Sequence, residues 1–335
     1  MRPAALSWGI VSGAAIAEKA VIPAIQAAGG RVLALASRNP DRGRWLTAKF
    51  QIPQLCPTYQ ELVEADVDAV YLPLPNSLHL KWTLRALAAG KHVLCEKPLA
   101  LTADEAGQMD RAAREHHLVL AEAVMYRYHP RWQTVRQLLE SGAIGRLRHL
   151  QGSFRFPLGP PPNVRWEREL GGGALYDIGS YLVNACRWLA GEPTRVVARA
   201  RMRHGVDSDG SMLLEFASSD GPISAELAYG FESAECQKVE LIGTTGSLVI
   251  PKPFTAWHEE SIPLWLSRDP ADLGEPIPTV AADPYREMVA AFTTRVAGGP
   301  LLVTGADDAV LGLRVLDAAR RSLNSHQWES PRVAG

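Results

Sequence analysis

Gly90-Lys91-His92-Val93-Leu94-Cys95-Glu96-Lys97-Pro98 is the stretch on which the reading of this chain turns. Three apolar residues, Val93, Leu94 and Cys95, end abruptly in a carboxylate, an amine and a proline. That is the pattern of a buried strand delivering charge to a cleft. Pro98 restricts Lys97 to extended geometry, which fixes the direction in which the lysine leaves the strand end. The competing reading is a solvated Glu-Lys pair, the commoner fate of adjacent charges. The choice depends on whether the rest of the sequence supplies a cofactor site and a proton donor.

Upstream, apolar runs alternate with helical patterns. Ala5 to Val11 leads into Ser12-Gly13-Ala14-Ala15-Ile16-Ala17, where a dinucleotide fold turns from its first strand into a helix whose N-terminus faces a pyrophosphate. A G-x-G-x-x-G fingerprint laid over residues 12–17 finds no glycine in its glycine slots, leaving small side chains to permit the close approach. Pro23 is expected to kink or split the following helix. Arg31 to Ser37 is the second run, with Ser37, Arg38 and Arg42 at its C-terminal end and no acid there to bind ribose hydroxyls. Guanidinium groups suit a 2′-phosphate, so NADP is expected ahead of NAD, and Asp41 is left to cap or decorate the next helix.

Thr58-Tyr59-Gln60-Glu61 and Thr102-Ala103-Asp104-Glu105 are capping boxes that begin helices. Val67 to Leu72 reads as a strand followed by the turn Pro73 to His79. Leu80, Leu84, Leu87 and Ala88 then recur at helical spacing until Gly90 stops them. Leu118 to Ala123 closes the series. Strands alternating with helices in this way predict a doubly wound parallel sheet with its ligand at the strand carboxyl ends, where Ser12, Ser37, Asn76 and Lys97 stand.

A chain of 335 residues exceeds what one core usually serves, so two domains are expected, residues 1–124 and 125–335. Lys and Arg total 35 against 36 Asp and Glu, which gives no basic excess for nucleic acid. Cys56, Cys95, Cys186 and Cys236 form no C-x-x-C pair, arguing against a zinc site or a disulfide framework and for a reducing cytoplasm; no metal is expected. Arg2 and the apolar run to Ala17 superficially resemble a signal peptide, but Ser7, Gly9, Ser12 and Gly13 interrupt the run, and Glu18 and Lys19 end it. No stretch approaches the ~18–20 apolar residues of a membrane span.

In the second half, Tyr126-Arg127-Tyr128-His129 lies where the chain crosses between domains, and reads equally as an aromatic hinge or a substrate contact. Trp132, Val135, Leu138 and Leu139 make a helix, Leu150 to Phe156 a strand, and Pro157 to Pro162 a loop that is either a lid or plain surface. After Gly171-Gly172-Gly173 a helix carries Ile178, Leu182, Ala185 and Leu189 on one stripe and Asp177, Tyr181 and Asn184 on another. A polar face toward water is the ordinary reading. An aromatic phenol between a carboxylate and an amide, after glycines that permit close approach, favours a site instead. Arg195 to Ile250 follows as short strands with antiparallel punctuation, and helices at 283–296 and 306–324 close the chain.

The runs GKHVLCEKP (90–98), YLPLPNSLH (71–79), WGIVSGAAIA (8–17) and LGGGALYDIGSY (170–181) together resemble the glucose-fructose oxidoreductase and inositol dehydrogenase family, Gfo/Idh/MocA, over nearly the whole chain. The resemblance implies an N-terminal Rossmann domain, a C-terminal α/β domain with an open, mostly antiparallel sheet, a nicotinamide cofactor, and a homodimer through that sheet. Carried over by residue, Lys97 is the catalytic lysine, and Leu74, Pro75, Asn76, His79 and Glu96 lie along the cofactor. Met125 and Phe154 line the substrate pocket, with Arg127 and Asn184 as further candidates, and Arg165 with Trp166 approaches the nicotinamide or makes a structural stack. Tyr181 stands where the family usually has histidine, resembling the branches that contain sugar and dihydrodiol dehydrogenases and keto-sugar reductases.

A free tyrosine titrates near ~10, and a lysine ammonium favours its phenolate. The expected chemistry is therefore hydride transfer between NADP and a sugar carbon, with Tyr181 exchanging the proton, Lys97 as electrostatic partner and Asp177 contacting substrate or lysine. A glycosidase using a redox-elimination cycle and a non-catalytic NADP or sugar sensor are the alternatives.

Overall fold

The computed structural model describes residues 5–255, 261–268 and 274–331; Arg2, at the head of the apolar N-terminal run, lies outside them. The chain divides into two compact units, one of Met1–Tyr128 with Asp283–Val310, the other of His129–Ala282 with Leu311–Gly335.

Six strands of the first unit, among the described residues, form a wholly parallel sheet: β1 (Ser7–Val11), β2 (Arg31–Ala36), β3 (Gln54–Cys56), β4 (Ala69–Leu72), β5 (His92–Cys95) and β6 (Leu120–Glu122), in the order β3-β2-β1-β4-β5-β6. Every residue of β1 and β4 is buried, as strands covered on both faces require. The order reverses between β1 and β4, which opens a ligand crevice beyond their carboxyl ends. Strand β3 had no clear sequence signal, being three residues long beside Pro53.

The helices follow local chemistry. Ala17–Val21 is a π-type turn, and α1 (Ile22–Ala27) restarts with Pro23 in its first turn, so the expected split falls just before the proline, whose missing N–H is tolerated at a helix start. Helix α2 (Pro40–Phe50) is capped by Asn39, whose Oδ1 accepts from the Arg42 amide at 3.0 Å; Asp41 instead pairs with Arg44. Thr58 caps α3 (Tyr59–Val63) as expected. In α4 (His79–Ala88) the buried face is His79, Trp82, Thr83, Ala86 and Leu87, so the leucine stripe is rotated: Leu87 is inside, Leu80 and Leu84 are half-buried, and Ala88 is exposed. Helix α5 (Ala103–Glu115) starts at the second capping box, Thr102 accepting from the Glu105 amide.

The second unit opens with α6 (Pro130–Glu140). Its sheet comprises, among the described residues, β7 (Leu147–Arg155), β8 (Pro193–Arg203), β9 (Val206–Phe216), β10 (Ile223–Gly230), β11 (Cys236–Gly243), β12 (Ser247–Pro251), β13 (Leu264–Ser267) and β14 (Glu275–Ile277), in the order β14-β13-β12-β11-β7-β10-β9-β8. Only β7 and β10 pair in parallel. Leu150, Leu214, Leu227 and Leu241 are buried on the inner face, while Gln151, Ser211, Glu226 and Lys238 alternate outward. On the inner face α7 (Ser180–Ala190) seats Leu182 against Gly152, where a Cβ would come within 2.8 Å of the leucine.

The first closing helix, α8 (Pro284–Val296), belongs to the first unit. Phe292 packs on Trp8 at 5.2 Å between ring centroids, and the segment beyond it covers the edge of β6, Thr304 O accepting from the Glu122 amide at 3.0 Å. Helix α9 (Ala306–Ser325) passes from the first unit's segment into the second's. No helix among the described residues is long and apolar enough to cross a membrane.

Candidate active site

Candidate residues lie in both units. In the first, the turn after β1 is built without the usual glycines. Ser12 itself takes φ 125° while its amide donates to Ala36 O at 2.9 Å, so a serine occupies a conformation that normally calls for glycine. Gly13 is tightly framed: a Cβ would stand 2.9 Å from Arg42 Cγ and 3.0 Å from Ser37 Oγ. The residues that follow, Ala14, Ala15 and Ile16, are half-buried or exposed, and the Ala14 carbonyl turns the chain into the π-type turn. This is a cradle of small residues at the sheet's switch point, and it fits a dinucleotide's pyrophosphate.

The two arginines beside it differ. Arg42 donates through Nε to Gly13 O at 3.1 Å and is ion-paired with Glu18, which also binds Lys49 at 2.7 Å. Lys49 and Arg42 together hold the Glu18 carboxyl below its usual range. Arg42, expected to meet a 2′-phosphate, is thus engaged in fixing the turn. Arg38 is exposed and pairs with no acid among the described residues.

At the end of β5 the residues on both sides of Lys97 are clamped. Tyr71 donates its hydroxyl to Glu96 Oε1 at 2.6 Å, and burial, reinforced by the Glu96 charge, pushes the Tyr71 phenol well up. The His79 ring lies 2.9 Å from Pro98 O through Nδ1 and 2.8 Å from Leu74 O through Nε2. Glu122 Oε1 accepts from the Leu99 amide at 2.8 Å. Lys97 is half-buried, and Lys97–Pro98 is a cis peptide. His79, read from the sequence as a cofactor contact, is fully buried with both ring nitrogens against main-chain carbonyls, so it orders the strand ends instead. Leu74 is buried, and Pro75 and Asn76 remain half-buried beside it.

In the second unit Asp177 lies in a π-type turn, Leu175–Gly179, that leads into α7, and Tyr181 and Asn184 follow in α7 itself. The three are not a face toward water: Tyr181 is 9 % exposed and Asn184 7 %. The Tyr181 ring packs at 5.7 Å from Phe154 and 5.3 Å from Phe254. Arg165 donates through Nε to Asp177 Oδ2 at 2.6 Å.

Several expected contacts take other partners. Trp166 is buried, donating to Gly159 O at 2.9 Å and meeting Phe231 edge-on at 5.5 Å, so it makes the structural stack. Arg127, a substrate candidate, is buried and ion-paired with Asp308 at 2.7 Å within the first unit. Met125 is buried there as well. Phe154 is buried against Tyr181 and stacks on Phe254 at 5.4 Å.

Sequence reading missed Arg131. It is 1 % exposed, and burial lowers its pKa to about 10. It donates to Pro251 O at 2.7 Å and Lys252 O at 3.1 Å, and Trp132 donates to Pro253 O at 3.1 Å. Together they fix the segment that places Phe254 beside Tyr181. No local pattern marks such long-range bonds.

Residues 6–124 match the oxidoreductase family with an NAD-binding Rossmann fold, and residues 132–249 match the GFO/IDH/MocA C-terminal domain. The chain belongs to the GFO/IDH/MocA oxidoreductase family. Among its relatives, the dTDP-3,4-didehydro-2,6-dideoxy-alpha-D-glucose 3-reductase of Saccharopolyspora spinosa is 37 % identical over 91 % of this chain and 90 % of its own. The D-xylose 1-dehydrogenase (NADP(+)) 2 of Haloferax volcanii is 34 % identical over 95 % and 97 %. KijD10, a 3-ketoreductase from Actinomadura kijaniata solved with NADP and TDP-benzene, superposes with a TM-score of 0.89 at 33 % identity, covering 95 % of this chain and 98 % of that one. KijD10 has also been solved with one tyrosine changed to phenylalanine and with one lysine changed to alanine. The GFO/IDH/MocA membership makes this chain an oxidoreductase with an NAD-binding Rossmann domain, which its parallel sheet and switch-point cradle fit.

Proposed function

We propose that this chain transfers a hydride between NADP(H) and a carbon of a sugar or sugar derivative, as an aldose dehydrogenase or keto-sugar reductase, with Tyr181 exchanging the hydroxyl proton and Lys97 assisting it. The observation that carries this reading is the clamp around Lys97, in which Tyr71 holds the Glu96 side chain, His79 the Pro98 carbonyl and Glu122 the Leu99 amide. Such support is what a functional side chain needs and a solvated one does not. The two residues replaced in KijD10 are the same number of positions apart as Lys97 and Tyr181, which supports the pairing.

When bound, the nicotinamide donates or accepts the hydride. Ser12 to Ile16 would cradle the pyrophosphate, and exposed Arg38, following Ser37 with no acid at the β2 end, favours a 2′-phosphate and hence NADP. Tyr181 loses or returns the hydroxyl proton. In general an ammonium beside a phenol favours the phenolate, which is the assistance proposed for Lys97. Asp177, held by Arg165, orients a sugar hydroxyl.

The test is a screen of aldoses and nucleotide-linked keto-sugars with NADPH, NADP and their non-phosphorylated forms, followed at the reduced nicotinamide band. Turnover lost in Tyr181→Phe and Lys97→Ala, with cofactor binding kept, is expected. Full turnover in Tyr181→Phe would assign the proton to another group, and equal rates with NADH and NADPH would remove the role of Arg38. The outer sheet face around Gln151, Arg199, Leu213, Glu226 and Lys238 forms a cavity of about 650 Å³, and its cover is proposed to be a second copy of the chain, read by solution mass.

A further inference from the structure

Strand β9 contains an irregularity whose effect falls on the helix of Tyr181. Its pairing with β8 runs Arg201↔Asp209 and then Met202↔Asp207, so Ser208 is the extra residue of a bulge. On β9 the inward residues are Met212, Leu214 and Phe216, all even-numbered, and an unbroken strand would turn Asp207 outward. The bulge reverses that parity and brings Asp207 to the inner face. There its Oδ2 accepts from the Leu175 amide at 2.6 Å, and the Ala174 amide also bonds to it.

Gly173, Tyr229 and Arg320 converge on this carboxyl. Gly173 has φ 115°, and a Cβ there would lie 2.3 Å from Asp207 Oδ1, so only glycine admits the carboxyl to the head of the turn. Gly172 is pressed equally closely on Arg165 O, at 2.5 Å for a Cβ. The Tyr229 ring crosses Gly210 and points toward Asp207, its hydroxyl buried with no partner among the described residues. The charged and titratable groups facing Asp207 are Arg320 from α9, itself bonded to the Tyr176 hydroxyl at 2.6 Å, and Tyr229 from β10.

We propose that Asp207 is a positioning residue for the reaction: delivered by the bulge at Ser208, its carboxylate caps the π-type turn and thereby sets the aim of Asp177 and Tyr181. The first amides of a helical segment lack internal partners, and an ionised acceptor among them also complements the positive end of the helix. Burial raises the carboxyl to about 7 despite these bonds and the Arg320 charge, so the cap changes state across neutral pH. The inference rests on the reading of Tyr181 as the proton-exchanging group.

The test uses Asp207→Ala and Asp207→Asn in the full chain, with hydrogen exchange of the peptide covering 174–181 measured beside kinetics. Asp207→Ala should speed exchange in that peptide and lower kcat by about 10- to 100-fold, the scale of a misaimed catalytic group, with NADPH affinity within about twofold of the parent. Asp207→Asn, which keeps an acceptor but cannot ionise, should restore most of the protection and remove the near-neutral ionisation from the kcat profile. Unchanged exchange or a kcat within about twofold in Asp207→Ala overturns the proposal, as does a kcat profile in Asp207→Asn identical in shape to the parent's. Exchange requires no turnover, so it separates this inference from the reading of Tyr181, which Tyr181→Phe tests alone.

Discussion

Arg165 donates its Nε–H to Asp177 at 2.6 Å, tying the short turn before the three glycines to the π-type turn after them. Arg165 retains 41 % side-chain exposure and Asp177 15 %, so the pair is worth little as a stabilising bridge. Its consequence is orientation. Arg165→Leu is expected to shift stability by less than ~1 kcal/mol in a denaturant melt and to reduce kcat/KM by about tenfold, the loss of one charge-assisted hydrogen bond at the site.

His79 should behave in the opposite way, as a core residue with a catalytic effect. Its ring fills a fully buried position and lies between two carbonyls, although a neutral imidazole supplies only one N–H. Burial keeps its pKa below the ordinary value. His79→Ala leaves Leu74 O and Pro98 O without that ring and opens a cavity, which should cost about 2–4 kcal/mol in urea unfolding. Turnover should fall at temperatures where the variant remains folded, because the clamp on Lys97 loses one arm.

The acid side of the stability curve should depend on His129. Its Nδ1 accepts from the Arg131 amide at 3.1 Å and caps α6, so its proton sits on Nε2. Burial, with the Arg131 charge, lowers its pKa to about 4. The folded value lies below the unfolded one, so this contribution is complete above pH ~6.5 and is lost as pH falls toward 4. The loss is about 3 kcal/mol over that window for a group this buried. His129→Asn, which caps without titrating, should flatten the urea midpoint between pH 7 and 4. Asp207, raised from 3.8 to about 7, has the opposite sign: its contribution is complete below 3.8 and lost as pH rises through 7, so Asp207→Asn should gain most relative stability at pH 8.

The strained turn after β1 yields a paired prediction. Ser12→Gly should stabilise the fold by up to ~1 kcal/mol by relieving φ 125°. Gly13→Ala would force its Cβ against Arg42 and Ser37 and should weaken NADPH binding by about tenfold in a fluorescence titration, the cost of one displaced contact at the cradle.

Much of this arrangement was legible in the sequence because it is local. The capping boxes at Thr58 and Thr102, the alternating strands and the charged end of β5 each follow from residues within a few positions of one another. That the Asp177–Tyr181–Asn184 stripe is not an ordinary solvated face was legible too, from an aromatic residue on a polar face. What was hidden depends on long-range partners. Arg42 and Arg127 read as cations available to ligands until Glu18 and Asp308 are seen beside them. The α4 stripe was misplaced because a histidine and a tryptophan take the core face. Asp207, within Val206-Asp207-Ser208-Asp209-Gly210, looks like turn punctuation, and only strand pairing reveals a bulge that reverses its face.

The return of residues 283–310 to the first unit has a consequence for how the molecule is made. A ribosome releases β1 to β6 early, but the strand edge at Glu122 and the Trp8 ring await Thr304 and Phe292, which are synthesised only after residues 129–282. The unit that starts first therefore finishes late, and the whole of residues 129–282 emerges while it is incomplete. Nascent chains stalled before Pro284 should expose β6 to proteases and chaperones, and synthesis of residues 283–310 should act as the closing step for this unit.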